Sequence, residues 1–190
     1  MNVPQAAPGV RRKASFTGLY AFLASIIMFF GAFTSAMVVR RGASNDWKGT
    51  PAPQLLWVNT AALALSSIAA EKARRDLRKG DRKQFNIGWT VATLLGGGFA
   101  IGQVIVWKQL DAQGVYLNSH PGSAFFYVGT AAHALHLAGG WLWMVYLAFR
   151  AVRLELGPGR RTSVDVATLY WHFLGVLWLY LLWLFLYWGN

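Results

Sequence analysis

Residues 168–188 read TLYWHFLGVLWLYLLWLFLYW, a run with no charged side chain and a lone histidine, His172. At 1.5 Å of rise per residue, roughly 20 apolar residues cross the ~30 Å hydrocarbon core of a bilayer. The run therefore reads as a transmembrane helix. Composition agrees with that class: 55% of the 190 residues are hydrophobic, 15% aromatic and only 13% charged, with ten tryptophans. A soluble domain of this size carries far more charge.

Working outward, the run begins near residue 165, and four more of similar length precede it, at about 16–38, 54–71, 86–107 and 124–149. The second is the weakest, because Asn59 and two serines interrupt it and Glu71 ends it early, so it is expected to pack against protein. Short connections holding Pro51, Pro53, Pro121 and Pro158 leave no room for a soluble domain. The expected fold is an all-α integral membrane protein: a cytoplasmic tail over 1–15 and one five-helix domain over 16–190. RRKASF near the start resembles a twin-arginine signal, but the apolar run behind it is longer than the usual h-region.

The net charge of +11 would suggest nucleic acid in a soluble protein. Here the Lys and Arg residues lie between apolar runs and act as a topology signal, so no nucleic-acid partner is expected. Arg11, Arg12, Lys13, the segment Lys72 to Lys83, and Arg150, Arg153, Arg160 and Arg161 share one side; Arg40, Arg41, Lys48 and Lys108 are alone on the other. The positive-inside bias puts the N-terminus in the cytoplasm and the C-terminus outside. Tyr187 and Trp188 then fall in the outer interfacial belt, and Tyr170 and Trp171 near the inner one. With no cysteine, disulfides, thiolate metal sites and thiolate-bridged copper are excluded.

Every acidic residue, Asp46, Glu71, Asp76, Asp81, Asp111, Glu155 and Asp165, falls in a loop or at a helix end. A proton relay or ion-coupled transporter would place charge near the midplane. The interiors hold instead Asn59, Gln103, His133, His136 and His172, all able to bond across helices while neutral. Buried imidazole is costly without a partner, so AAHALHLAGG at 131–140 admits two readings: haem ligation, or a hydrogen-bonded structural pair. By helix rise, His136 lies roughly 18 Å below the outer edge and His172 roughly 10 Å above the inner edge, nearly the same depth in a ~30 Å core. A bis-His membrane cytochrome using His136 and His172 therefore stays open on depth alone. Gly96, Gly97, Gly98 and Gly102, with the last two spaced as GxxxG, and Gly31 with Ser35, permit close helix approach.

Taken in order, these runs resemble subunit III of haem-copper respiratory oxidases, in the bacterial five-helix form of the cytochrome c oxidase subunit. TLYWHFLGVLWLYLLWLFLYW resembles its last helix, with a YWHF run and an aromatic tail. FFYVGTAAHALHLAGG at 125–140 resembles its Thr-x-x-His-x-x-His-x-x-Gly helix. FLASIIMFF at 22–30, NTAALALSS at 59–67 and GGGFAIGQVIVWKQL at 96–110 resemble the three helices before them. Three carboxylates common in the family are replaced, by Ile26, Val106 and Gly175, and two glycines of the histidine motif by Ala131 and Ala134.

The resemblance implies a subunit without catalytic residues of its own, in the multi-pass plasma membrane of a bacterium. Haem and copper would lie in the partner subunits I and II. Subunit III would pack against subunit I, hold phospholipid, and protect the oxidase from inactivation during turnover. In this reading Asn59, Gln103, His133, His136 and His172 are structural or lipid-cleft residues, and neither cofactor nor metal binds the chain. Subunit III of a quinol oxidase, an accessory subunit of nitric oxide reductase, and membership of a respiratory supercomplex stay open under the same resemblance.

Overall fold

The computed structural model describes residues 8–43, 45–49, 53–153 and 161–188. Five α-helices account for nearly all of them: α1 Pro8–Gly42, α2 Leu55–Lys79, α3 Arg82–Ala112, α4 Pro121–Val152 and α5 Arg161–Trp183. A single π-helical turn, Leu184–Trp188, ends the chain's described part. α1, α2 and α3 outrun their apolar stretches because their basic flanks are good helix formers that continue the hydrogen-bond ladder beyond the hydrocarbon. Hence residues 8–15 of the expected tail are helical, while residues 1–7 lie outside the described residues.

By length and hydropathy, α1, α3 and α5 are each apolar enough to cross a membrane. In α2 and α4 the buried polar side chains, among them Asn59 and Ser66 in one and Thr130 and His133 in the other, dilute the apolar signal. These helices are built polar-in and apolar-out: α2 buries Asn59 and Ser66 while Trp57, Val58 and Ile68 face outward. The expectation that the second span is shielded by protein holds for one of its faces only.

The helices alternate in direction. Trp89, Thr93 and Trp107 of α3 meet Met144, Trp141 and Thr130 of α4, an antiparallel register. Ser66 of α2 reaches Ala92 of α3 and Trp171 of α5, also antiparallel. α5 is the hub, touching α1, α2 and α4 and, through Trp178 on Phe99, α3, whereas α1 makes its main contacts with α4 and α5. Between α1 and that pair runs an apolar groove of about 230 Å³, lined by Leu19, Phe22, Gly140, Trp143 and Tyr170.

Two glycines make the tight ends possible. Gly80 (φ 88°) and Gly114 (φ 76°) adopt left-handed backbone after α2 and α3. There the N–H of Asp81 donates to Asp76 O and that of Val115 to Leu110 O, both at 3.0 Å. The turn after α2 is only Gly80 and Asp81, and Asp81 caps α3 by accepting from Gln84 N at 3.0 Å. α4 starts with Pro121 behind a capping box, in which His120 Nδ1 accepts from Ser123 N (3.1 Å) and Ser123 Oγ accepts from His120 N (3.2 Å).

Candidate functional site

Three consecutive residues of α5 point to three different surroundings, since each step along a helix turns ~100°. The Tyr170 hydroxyl donates to His136 O (3.1 Å) on α4 and its ring packs on Phe22 of α1. Trp171 Nε1 donates to Ser66 Oγ (3.0 Å), which donates in turn to Ala92 O (2.7 Å), so one relay joins α5, α2 and α3. Trp171 is 1% exposed, so it belongs to the core and not to the interfacial belt expected of it. Two turns further, Trp178 Nε1 donates to Thr60 Oγ1 (3.0 Å) on α2.

His172 faces α2, where its Nδ1 pairs with Ser67 Oγ and its Nε2 stands 3.6 Å from Glu71 Oε2. Glu71 is already held by Arg74 at 2.7 Å and Arg75 at 2.8 Å, and Asp165 of α5 receives Arg74 (3.3 Å) and Arg78 (2.9 Å). Serine, histidine and carboxylate meet here, but the arginines engage both carboxylate oxygens and tie the end of α2 to the start of α5. This is an ionic lock between helices.

His136 faces the other way. Its Nδ1–H donates to Ala132 O (2.7 Å) in its own helix, and its ring lies 6.4 Å from Phe22 and 6.0 Å from Phe30 of α1. His136 and His172 thus address opposite sides of α5, and the facing pair that equal depth allowed is not formed. Two residues along α5 separate Tyr170, which meets His136, from His172; that is ~200° of rotation. Among the described residues no three His, Asp or Glu side chains are grouped to hold a metal ion.

His133 is 1% exposed, its ring tilted against Trp178 at 5.4 Å, and neither ring nitrogen finds a hydrogen-bond partner. Asn59 Nδ2 and both amide atoms of Gln103 are in the same state. The expectation that these polar residues bond directly across helices is therefore met by others: Ser66, Ser67, Thr60 and Thr130, with indole N–H groups as the main donors. The signal for this was present in the ten tryptophans, because a buried indole N–H seeks an acceptor.

The glycines divide likewise. A Cβ on Gly96 would meet Trp171 at 2.6 Å and one on Gly97 would meet Trp141 at 3.2 Å, while one on Gly102 would run into the Asn59 amide. Gly98 and Gly31 have open space around them, so the GxxxG pair is not a contact pair. Of the positions where the family commonly has carboxylates, Ile26 and Val106 are buried in the core and Gly175 faces open space.

Fold and site together define a class: an all-helical membrane protein whose helices are cross-linked by neutral hydrogen bonds and locked by charge at one end. The family profile for cytochrome c oxidase subunit III matches residues 12–190. The chain belongs to that family, the third subunit of haem-copper oxidases. A probable cytochrome c oxidase subunit 3 of Nocardia farcinica is 30% identical over 166 residues, 85% of this chain and 82% of the relative. One of Mycobacterium bovis is 27% identical over 86% of this chain and 83% of its own length. A quinol oxidase subunit 3 of Bacillus spizizenii is 26% identical over 95% of this chain and 90% of its own length. Membership implies association with other oxidase subunits.

Proposed function

We propose that this chain is the non-catalytic, lipid-holding subunit III of a proton-pumping terminal oxidase that takes electrons from cytochrome c, in a bacterial plasma membrane. The observation that carries the reading is the near end-to-end family match on a five-helix bundle whose polar groups serve helix contacts. Haem and copper belong to the partner subunits I and II in this reading. The apolar groove between α1 and α4–α5 supports a lipid role, because it is lined by aromatic and small side chains suited to acyl chains. The charge asymmetry supports a cytoplasmic N-terminus and an outer C-terminus. A quinol donor is the second reading, favoured by the relative called quinol oxidase subunit 3.

The test is mild solubilisation of the native membrane and capture of this chain by a tag. Haem-containing and copper-containing partner subunits and copurified phospholipid are expected with it. A chain that emerges alone overturns the assignment, and one whose Soret band disappears on His172→Ala would make it a cytochrome in its own right.

A further inference from the structure

Three polar side chains that the proposed function does not use lie at about one level of the bundle. The α3–α4 register pairs Trp89 with Met144 (3.0 Å), Trp141 with Thr93 (2.8 Å) and Trp107 with Thr130 (3.2 Å). Counting back from the last pair along antiparallel helices sets Gln103 opposite His133. On the other side of α3, Asn59 of α2 abuts Gly102, the residue next to Gln103. Trp178 of α5 closes the level: its ring lies 5.4 Å from His133 and 5.1 Å from Phe99, and its Nε1 donates to Thr60, the neighbour of Asn59.

Asn59, Gln103 and His133 are 4%, 3% and 1% exposed, and five of their polar atoms have no partner in the chain. One such orphan is unusual in a native core, and five at one level demand a common explanation. The inventory holds both kinds of group: Gln103 offers two N–H donors and an acceptor oxygen, neutral His133 one donor and one acceptor, and the Asn59 amide nitrogen two donors. Water, with two of each, fits that set, and buried waters make about three hydrogen bonds to groups of this kind. A cation does not fit, because these three residues offer no carboxylate, and among the described residues Glu71 of α2 and Asp165 of α5 are already held by arginines.

We propose that Asn59, Gln103 and His133 form an internal hydration site, in which bound water bridges α2, α3 and α4 beside Trp178. The water replaces the direct cross-helix bonds these residues do not make and gives the bundle a neutral polar layer.

The test is difference infrared spectroscopy of the detergent-purified full chain in ordinary and ¹⁸O-labelled water, with Gln103→Met as a same-length apolar variant. After equilibration long enough for internal water to exchange, a water O–H stretch that shifts with the isotope and is lost in Gln103→Met is expected, with a thermal midpoint several degrees lower in the variant. If Gln103→Met unfolds at the same or a higher temperature, the orphan groups are dry and the proposal is overturned. An isotope-insensitive spectrum of the native chain overturns it independently, even if the variant fails to fold, by pointing to a direct Gln103–His133 bond.

Discussion

Each buried side chain here is defined by what its one polar atom reaches. Trp171 shows the magnitude involved. Replacing it with Phe removes the donor to Ser66 but leaves Ser66 its bond to Ala92, so no acceptor is stranded. The expected loss is about 1 kcal/mol, read as a lower thermal midpoint. Trp57→Phe on the outer face of α2 is the control and should leave the midpoint unchanged, since that residue is exposed. The three missing carboxylates are read at the same scale. Ile26 and Val106 are buried, so a carboxylate there would need a partner, and Gly175 faces outward. In the assembled complex, His133→Ala is expected to weaken subunit retention while leaving haem reduction in the retained fraction unaltered. Abolished haem reduction with full retention would contradict a structural role.

Helices pack through a few small residues and end through a few caps, and both can be tested. Gly102→Ala pushes a methyl group into Asn59 and should destabilise by about 1–3 kcal/mol. Gly98→Ala, four residues earlier, meets nothing and should be neutral or stabilise by up to ~1 kcal/mol through helix propensity. Thermal unfolding of the two variants separates close approach from mere spacing. The cap of α4 is sensitive to pH. His120 can accept from Ser123 N–H only while Nδ1 is unprotonated. Partial burial, and then the charge of Lys48, hold its pKa below the ordinary imidazole value. A depressed pKa means the cap's contribution is complete above the unfolded value of about 6.5 and fades as pH falls through the folded value. The thermal midpoint should therefore drop between pH ~7 and ~5, and His120→Asn, a good cap that does not titrate, should flatten that slope.

At the scale of the whole molecule, two features set behaviour: α5 as hub and α1 as an outlying helix with most of its surface free. In lipid, burial of apolar surface between helices has little driving force, so packing and cross-helix hydrogen bonds hold the bundle. The α2–α5 ionic lock at one end and the Thr34–Tyr180 bond (2.7 Å) between α1 and α5 are of that kind. Orientation is open to direct measurement because the chain has no cysteine. A cysteine placed at Ser119, in the turn before α4, should react with an impermeant maleimide from outside the cell. One at Lys79, beside the basic turn, should react only after the membrane is opened. The reverse pattern would invert the proposed topology.

Much of this was legible from residue order alone. The five helices, their alternation and the family are written in runs of apolar residues broken by charge, because a bilayer imposes a length and a polarity on each segment that no later contact can relax. What the sequence could not decide was rotation. Depth made His136 and His172 equal, but ~100° per residue sent one ring to α1 and the other to α2. The same rotation buried Trp171 and left Gly98 open beside a buried Gly102. Depth follows from counting along one helix, whereas facing depends on how five helices pack at once, and only the tertiary structure contains that.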